Sequence, residues 1–166
     1  MKPIRLTIFA VLTFVWLGVI YSFSLEPADL SNDTSLGLID MLVYTFLPWL
    51  ADDLAALSQA QMDILHTIVR KCAHFTEYMI LGIFAVLTLL QTKITRWKSI
   101  ALASIGYCLL AASVDEMIQL FVDGRAGRIG DVLIDGAGAA LGIAAVLLLH
   151  RYWYRRKRRS LKNDNR

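Results

Sequence analysis

The feature that most constrains this chain is a set of four long apolar stretches. The first runs from Leu6 to Leu25 and contains 20 residues without a charged side chain. At 1.5 Å per residue, a helix of that length crosses a bilayer hydrocarbon core of about 30 Å. The sequence therefore predicts an all-α polytopic membrane protein, a bundle of four transmembrane helices. The predicted spans cover residues 6–25, 72–90, 99–122 and 130–150.

The first stretch has an alternative interpretation as a secretory signal, with Lys2 and Arg5 as its positive region. Three more apolar stretches follow, however, and no clear small-x-small cleavage site precedes Glu26. An uncleaved first helix is therefore preferred, within a single membrane domain over residues 1–166.

Composition agrees with a membrane protein and excludes two other classes. Of the residues, 57% are hydrophobic and 19% are charged, and the mean hydropathy is +0.54. These values exclude a soluble disordered chain. The two cysteines, Cys72 and Cys108, are too few for a disulfide scaffold.

The distribution of basic residues predicts the orientation. Thirteen of the 17 Lys and Arg residues precede span one, separate spans two and three, or follow span four, with one acidic residue among them. Because Lys and Arg accumulate on the cytoplasmic side of a membrane, both termini are expected to be cytoplasmic. The segment 26–71 and the short loop 123–130 are then expected on the outer side, and the tail 151–166 on the inner side.

The outer segment is expected to begin with a loop, since residues 26–35 are rich in Asp, Asn, Ser and Thr. Residues 36–50 are apolar but too short to span, and they end in Pro48 and Trp49. They predict either an interfacial helix or re-entrant dip, or a helix packed on the bundle. Residues 52–70 have helical apolar spacing and are expected to run directly into span two.

The basic tail, which contains RYWYRRKRR, has two interpretations. A nucleic-acid patch would need a soluble domain to display it. Beside the end of a membrane span, the same bases and aromatic residues fit an interfacial anchor for anionic lipid. We therefore expect membrane lipid as a partner and no nucleic acid.

Three of the four spans carry ionisable residues near their predicted outer ends. Each such residue raises the free energy of membrane insertion by about 2.5–3.5 kcal/mol at mid-depth. Because three spans bear this cost, the residues are expected to have a function. The set comprises His74 and Glu77 in span two, Asp115, Glu116 and Gln119 in span three, and Arg125, Arg128, Asp131 and Asp135 before and within span four. At helical spacing the residues of each span share one face, which should point into the bundle. Gly138 and Gly142 form a small-xxx-small pair, which is typical of close helix packing.

Two segments resemble the signatures of VanZ-like membrane proteins. They are KCAHFTEYMILGIFAVL and SVDEMIQLFVDGRAGRIGDVLIDGAGAALG, which together cover spans two to four, about half of the chain. The positions that match are Lys71, His74, Glu77, Tyr78, Asp115, Glu116, Gln119, Arg125, Asp131 and Gly138. Asp135 stands where many relatives have Asn and adds a carboxylate. The resemblance implies a location in the bacterial inner membrane, and the founding member of the family is associated with low-level teicoplanin resistance.

The chemistry of the cluster leaves three interpretations open. The first is a membrane enzyme that acts on an anionic, lipid-linked or glycan-bearing envelope substrate. Its candidate catalytic residues are His74, Glu77, Asp115, Glu116 and Gln119, and its candidate ligand-binding residues are Lys71, Tyr78, Arg125, Arg128, Asp131 and Asp135. The second is a binding or shielding protein without catalysis that meets a glycopeptide or an envelope precursor. The third is a buried ion-pair network that only fixes the bundle.

A metal-dependent form of the enzyme would use His74, Glu77, Glu116 and Asp131. One histidine and the absence of an HExxH or HxxxH motif argue against it. The sequence therefore assigns no metal ligand, and it identifies no cofactor and no oligomeric state.

Overall fold

The computed structural model describes residues 3–164, with side chains described throughout that range except at positions 29, 32, 35, 38, 42, 53 and 158–164. Its helices are α1 (Pro3–Ser24), α2 (Ala28–Phe46), α3 (Ala51–Ala55), α4 (Gln59–Leu90), α5 (Trp97–Gln119) and α6 (Ile129–Asp164), with a 3-10 turn at Pro48–Leu50. No strand occurs within residues 3–164. The four long helices α1, α4, α5 and α6 are long and apolar enough to cross a membrane. The predicted all-α polytopic fold is confirmed.

Two of the long helices extend well beyond the predicted spans. The helix α4 begins at Gln59 and carries span two as its second half. The helix α6 continues through the basic tail to Asp164, so the tail is the last part of a helix.

The polar stretch 26–35 is helical from Ala28 onwards, so its prediction as a loop is wrong for residues 28–35. The helix α2 begins at Ala28, directly after Pro27, whose fixed φ and missing N–H are tolerated at a helix start. The backbone N–H of Ala28 donates to the carbonyl of Asp123 at 3.2 Å, which holds this start against the loop between α5 and α6. A tertiary contact, and not the polarity of the local sequence, therefore determines the structure of this stretch.

The apolar half of α2 packs on the bundle with one face only. Ile39 is buried, and α2 contacts α4. Met41, Tyr44 and Phe46 are exposed. The helix ends at Phe46, ahead of Pro48, as the sequence indicated.

Residues 52–70 do not form one helix. The short α3 ends at Ala55, and α4 begins after Ser58, whose backbone N–H donates to Oε1 of Gln61 at 2.9 Å. This bond is part of a capping box between Ser58 and Gln61, and the Ser-x-x-Gln spacing that is typical of it is present in the sequence. The break in the helix could therefore have been predicted.

The contact between α4 and α6 is the most extensive in the bundle. It depends on glycines, because a Cβ at Gly138 would overlap the carbonyl oxygen of Phe75, and one at Gly142 would overlap that of Met79. The helix backbones therefore touch here, which is the packing that the small-xxx-small pair predicts.

The helix α1 is joined to its neighbours by side-chain hydrogen bonds. Nε1 of Trp16 donates to the carbonyl of Glu77 in α4 at 2.8 Å, and the hydroxyl of Tyr21 donates to the carbonyl of Ala111 in α5 at 3.2 Å. These contacts place the C-terminal end of α1 beside the ionisable residues of α4 and α5.

Candidate functional site

The predicted ionisable residues lie together at one end of the bundle. We call this the polar end: it comprises the last turns of α1 and α5, the middle of α4, the first turns of α6 and the loop 120–128 that joins α5 to α6. Gly124 in that loop has φ +74°, a left-handed conformation that glycine adopts without strain. The loop turns the chain so that the carboxylates of α5 and α6 face α4.

The centre of the polar end is acidic and buried. Nδ1 of His74 lies 3.8 Å from Oδ2 of Asp115, 3.9 Å from Oδ1 of Asp135 and 3.9 Å from Oε2 of Glu77. We call these four residues the acidic centre. Asp115 and Asp135 are both 0% exposed. Each side chain comes from α4, α5 or α6, so three packed helices fix the arrangement.

The carboxylates of the acidic centre are poorly compensated. Both oxygens of Asp135 and Nδ1 of His74 are buried without a hydrogen-bond partner among the described residues. The distances of 3.8–3.9 Å are too long for hydrogen bonds. Asp115 has only the neutral hydroxyls of Ser24 and Tyr78 as hydrogen-bonding neighbours among the described residues outside the acidic centre. Buried carboxylates in this state require protons or a cation.

The remaining acidic candidates are already paired. Nζ of Lys71 lies 2.5 Å from Oδ1 of Asp131, and Oε2 of Glu116 accepts the backbone N–H of Arg128 at 2.6 Å. The structure places Glu116 against the backbone of Arg128, and Asp131 against a lysine. Glu116 therefore holds the loop in position.

Gln119 and Arg125 connect the polar end to α1. Nε2 of Gln119 lies 3.4 Å from the hydroxyl of Ser24, and Nη2 of Arg125 donates to the carbonyl of Phe23 at 3.2 Å. Sequence reasoning did not identify Ser24, which is buried at the end of an otherwise apolar helix. Burial, reinforced by the guanidinium of Arg70, lowers the pKa of Arg125. Because a guanidinium stays protonated in proteins, Arg125 remains a cation.

A cavity of about 100 Å³ opens above the acidic centre. Its basic rim holds Arg70, Lys71, Arg125 and Arg128, and its floor includes His74 and Asp135. Since one water occupies about 30 Å³, the cavity has room for about three waters or one small anionic group. It does not have room for a sugar chain or a peptide.

The two layers of this site have different chemistry. The basic rim can hold an anion by charge-assisted hydrogen bonds. The acidic centre below it offers one ligand atom each from His74, Asp115 and Asp135, all within 4.8 Å of one another, to a proton or a metal ion. Of the metal set considered from sequence, only His74 belongs to this group. The group contains Asp115 and Asp135, whereas Glu116 and Asp131 lie outside it.

Comparison with known proteins gives one family. The sequence model described as VanZ/LLP1 matches residues 9–150, which include most of α1, all of α4 and α5, α6 up to the basic tail, and the whole polar end. The match also includes α1, α2 and α3, which the two signature segments do not cover. No curated protein and no solved structure has a significant match. The chain therefore belongs to the VanZ/LLP1 family.

Proposed function

We propose that the polar end binds the anionic headgroup, a phosphate in the simplest case, of a lipid-linked envelope molecule in the outer leaflet of a bacterial inner membrane. The observation that carries the proposal is the basic rim around a cavity. Of its four cations, only Lys71 forms an ion pair with an acidic side chain that the structure describes. Guanidinium groups without an ion pair around a concave site suit a phosphate, because a guanidinium can donate two parallel hydrogen bonds.

The surroundings of the rim support a lipid as the ligand. Phe121 and Ile129, at the two ends of the segment that carries the rim arginines, are 87% and 85% exposed. Apolar side chains beside the half-buried Arg125 and the exposed Arg128 fit the boundary between acyl chains and headgroups. A lipid ligand would lie there with its chains outside the bundle and its headgroup in the cavity.

The charge distribution supports the outer leaflet. Most Lys and Arg residues lie at the opposite end of the bundle, near Lys93, Lys98 and Arg151. By the positive-inside rule that end is cytoplasmic, together with both termini. The polar end, which carries Glu77, Asp115, Glu116, Asp123, Asp131 and Asp135, then faces outward.

A binding assay tests the proposal. The full-length protein in nanodiscs of zwitterionic lipid is titrated with radiolabelled farnesyl phosphate, with farnesol, and with inorganic phosphate. We expect farnesyl phosphate to bind, inorganic phosphate to bind more weakly and farnesol not to bind. Because a hydrogen bond to a charged group contributes about 1.5–3 kcal/mol, Arg128→Gln should weaken binding at least about tenfold.

Arg151→Gln is the matched control, because Arg151 is an exposed arginine at the opposite end. It should leave binding within about twofold. Equal binding of farnesol and farnesyl phosphate, or equal losses in the two variants, would overturn the proposal.

We propose that expression of the protein reduces sensitivity to teicoplanin in the cell. The effect comes from binding of the envelope lipid and not from capture of the drug. The cavity of about 100 Å³ is far smaller than the roughly 300–1,000 Å³ that holds a drug-sized ligand. Expression should reduce killing by a lipid-bearing glycopeptide more than by one that lacks the lipid, and Arg128→Gln should abolish the difference. Unchanged inhibitory concentrations for both drugs, with the protein in the membrane, would contradict this outcome.

A further inference from the structure

The acidic centre holds buried carboxylates whose charge anion binding at the rim does not compensate. Among the described residues, both carboxylate oxygens of the fully buried Asp135 and Nδ1 of His74 have no hydrogen-bond partner, and the equally buried Asp115 has only neutral hydroxyls beside it. A lipid phosphate would bring a further negative charge towards them. Within the part of the chain that the structure describes, no Lys or Arg forms an ion pair with either aspartate, and the nearby Lys71 is paired with Asp131.

We infer that the acidic centre binds one divalent transition-metal ion, held by Nδ1 of His74 and one carboxylate oxygen each from Asp115 and Asp135. The three ligand atoms lie within 4.8 Å of one another. Ligands about 2.1 Å from an ion lie roughly 3 to 4 Å apart, and the distances from His74 are 3.8 and 3.9 Å. Small side-chain movements therefore suffice to close the site around an ion.

Glu77 offers a fourth ligand. Its Oε2 lies 3.9 Å from Nδ1 of His74, one helical turn further along α4. His74 and Asp135 also line the cavity below the basic rim, whereas Asp115 does not. The ion therefore has a route to solvent and an open position that faces the cavity, where a water or an anionic oxygen could bind.

The donor set defines the class of metal. One imidazole nitrogen with carboxylate oxygens suits Mn²⁺ or Zn²⁺, whereas Mg²⁺ and Ca²⁺ prefer sites made of oxygen alone. Zn²⁺ should bind more tightly than Mn²⁺, as the general order of divalent affinities requires. The ion would neutralise the two aspartates, which the basic rim leaves uncompensated.

Metal binding to the full-length protein tests this inference. Protein in detergent is stripped with a chelator, desalted, and titrated separately with Zn²⁺, Mn²⁺ and Mg²⁺ by calorimetry. We expect about one equivalent of Zn²⁺ or Mn²⁺ and a rise in the unfolding temperature on binding. Pulsed electron paramagnetic resonance of the Mn²⁺ form should show coupling to one imidazole nitrogen, which His74→Ala should remove.

Asp135→Asn tests the carboxylate as a ligand, because it keeps the shape and one oxygen but removes the charge. It should weaken Zn²⁺ binding at least about tenfold. Asp63→Asn is the matched control: Asp63 is exposed and lies three turns before His74 on α4, so binding should stay within about twofold. Circular dichroism and size exclusion check that both variants fold.

Three results would overturn the inference: less than stoichiometric binding of Zn²⁺ and Mn²⁺ by the wild type, binding without nitrogen coupling, or equal losses in the two variants. The first two are measured on unmodified protein, so a misfolded variant cannot obscure them. The inference is independent of anion binding at the rim. Farnesyl phosphate titrations of the chelator-stripped protein distinguish a failure of one proposal from a failure of the other.

Discussion

The two ends of the bundle carry charge in opposite ways. At the polar end, Asp115 and Asp135 are buried without an ion pair to any described Lys or Arg. At the other end, which we call the basic end, Lys93, Lys98 and Arg151 are exposed. Exposed bases beside lipid headgroups have water and anionic lipid as partners and cost little. Buried acids have neither, so the polar end needs protons or a bound cation, whereas the basic end needs only a membrane surface.

The largest effect expected from this comparison concerns the side of the membrane. A cysteine introduced at Asp52, in a chain whose Cys72 and Cys108 are replaced by serine, should react with an impermeant thiol reagent in intact cells. A cysteine at Lys93 should react only after the cells are opened. At each position, we expect labelling to be nearly complete from one side of the membrane and nearly absent from the other. Labelling of the Asp52 position from the cytoplasmic side alone would reverse the assignment of the ends.

The second effect concerns the packing that supports the acidic centre. Gly138→Ala places a Cβ against the carbonyl oxygen of Phe75, on the turn of α4 that carries His74. The helices must separate, and we expect a loss of about 2 kcal/mol in the free energy of unfolding, because overpacking in a rigid contact has that order of cost.

The control for this substitution is Gly106→Ala. Gly106 lies inside α5 with no atom within 4 Å of its added Cβ. It should stabilise the helix by about 0.5–1 kcal/mol, the ordinary preference for alanine. Thermal unfolding of both proteins in detergent measures the difference, and equal effects would show that the close contact between α4 and α6 does not matter.

The third effect separates positioning from ligand binding at the polar end. Glu116→Gln keeps an oxygen that can accept the backbone N–H of Arg128, now without a charge. We expect a loss of about 1 kcal/mol in stability, since a charge-assisted bond becomes an ordinary one. Metal binding at the acidic centre should remain. A loss of Zn²⁺ binding in a folded Glu116→Gln protein would place this residue among the ligands instead.

Sequence reasoning reached the fold because apolar length determines a membrane helix without knowledge of its neighbours. It also brought the ionisable residues to one end, because antiparallel spans place them there whatever the rotation of each helix. The pairings inside the cluster depend on that rotation to within a few tens of degrees. Asp115, and not its neighbour Glu116, faces His74 for this reason.

Two local errors have different origins. The start of α2 within a polar stretch depends on the contact between Ala28 and Asp123, which are far apart in sequence, so no local pattern could reveal it. The break before α4 was visible as the spacing of Ser58 and Gln61. Helical periodicity alone does not indicate this break, because the apolar spacing continues across it.

The smallest expected effect concerns the basic end, whose contacts include aromatic packing. The rings of Trp97, at the start of α5, and His150, within α6, lie 5.1 Å apart at a tilt of 59°. Trp97→Leu should lower stability by about 0.5–1 kcal/mol, the usual contribution of such a pair. Because the substitution lies far from the cavity, it should leave farnesyl phosphate and Zn²⁺ binding unchanged in the same preparation. If it weakened either ligand, the two ends would be coupled through α5 and α6, and the division between a ligand-binding end and a membrane-anchoring end would have to be abandoned.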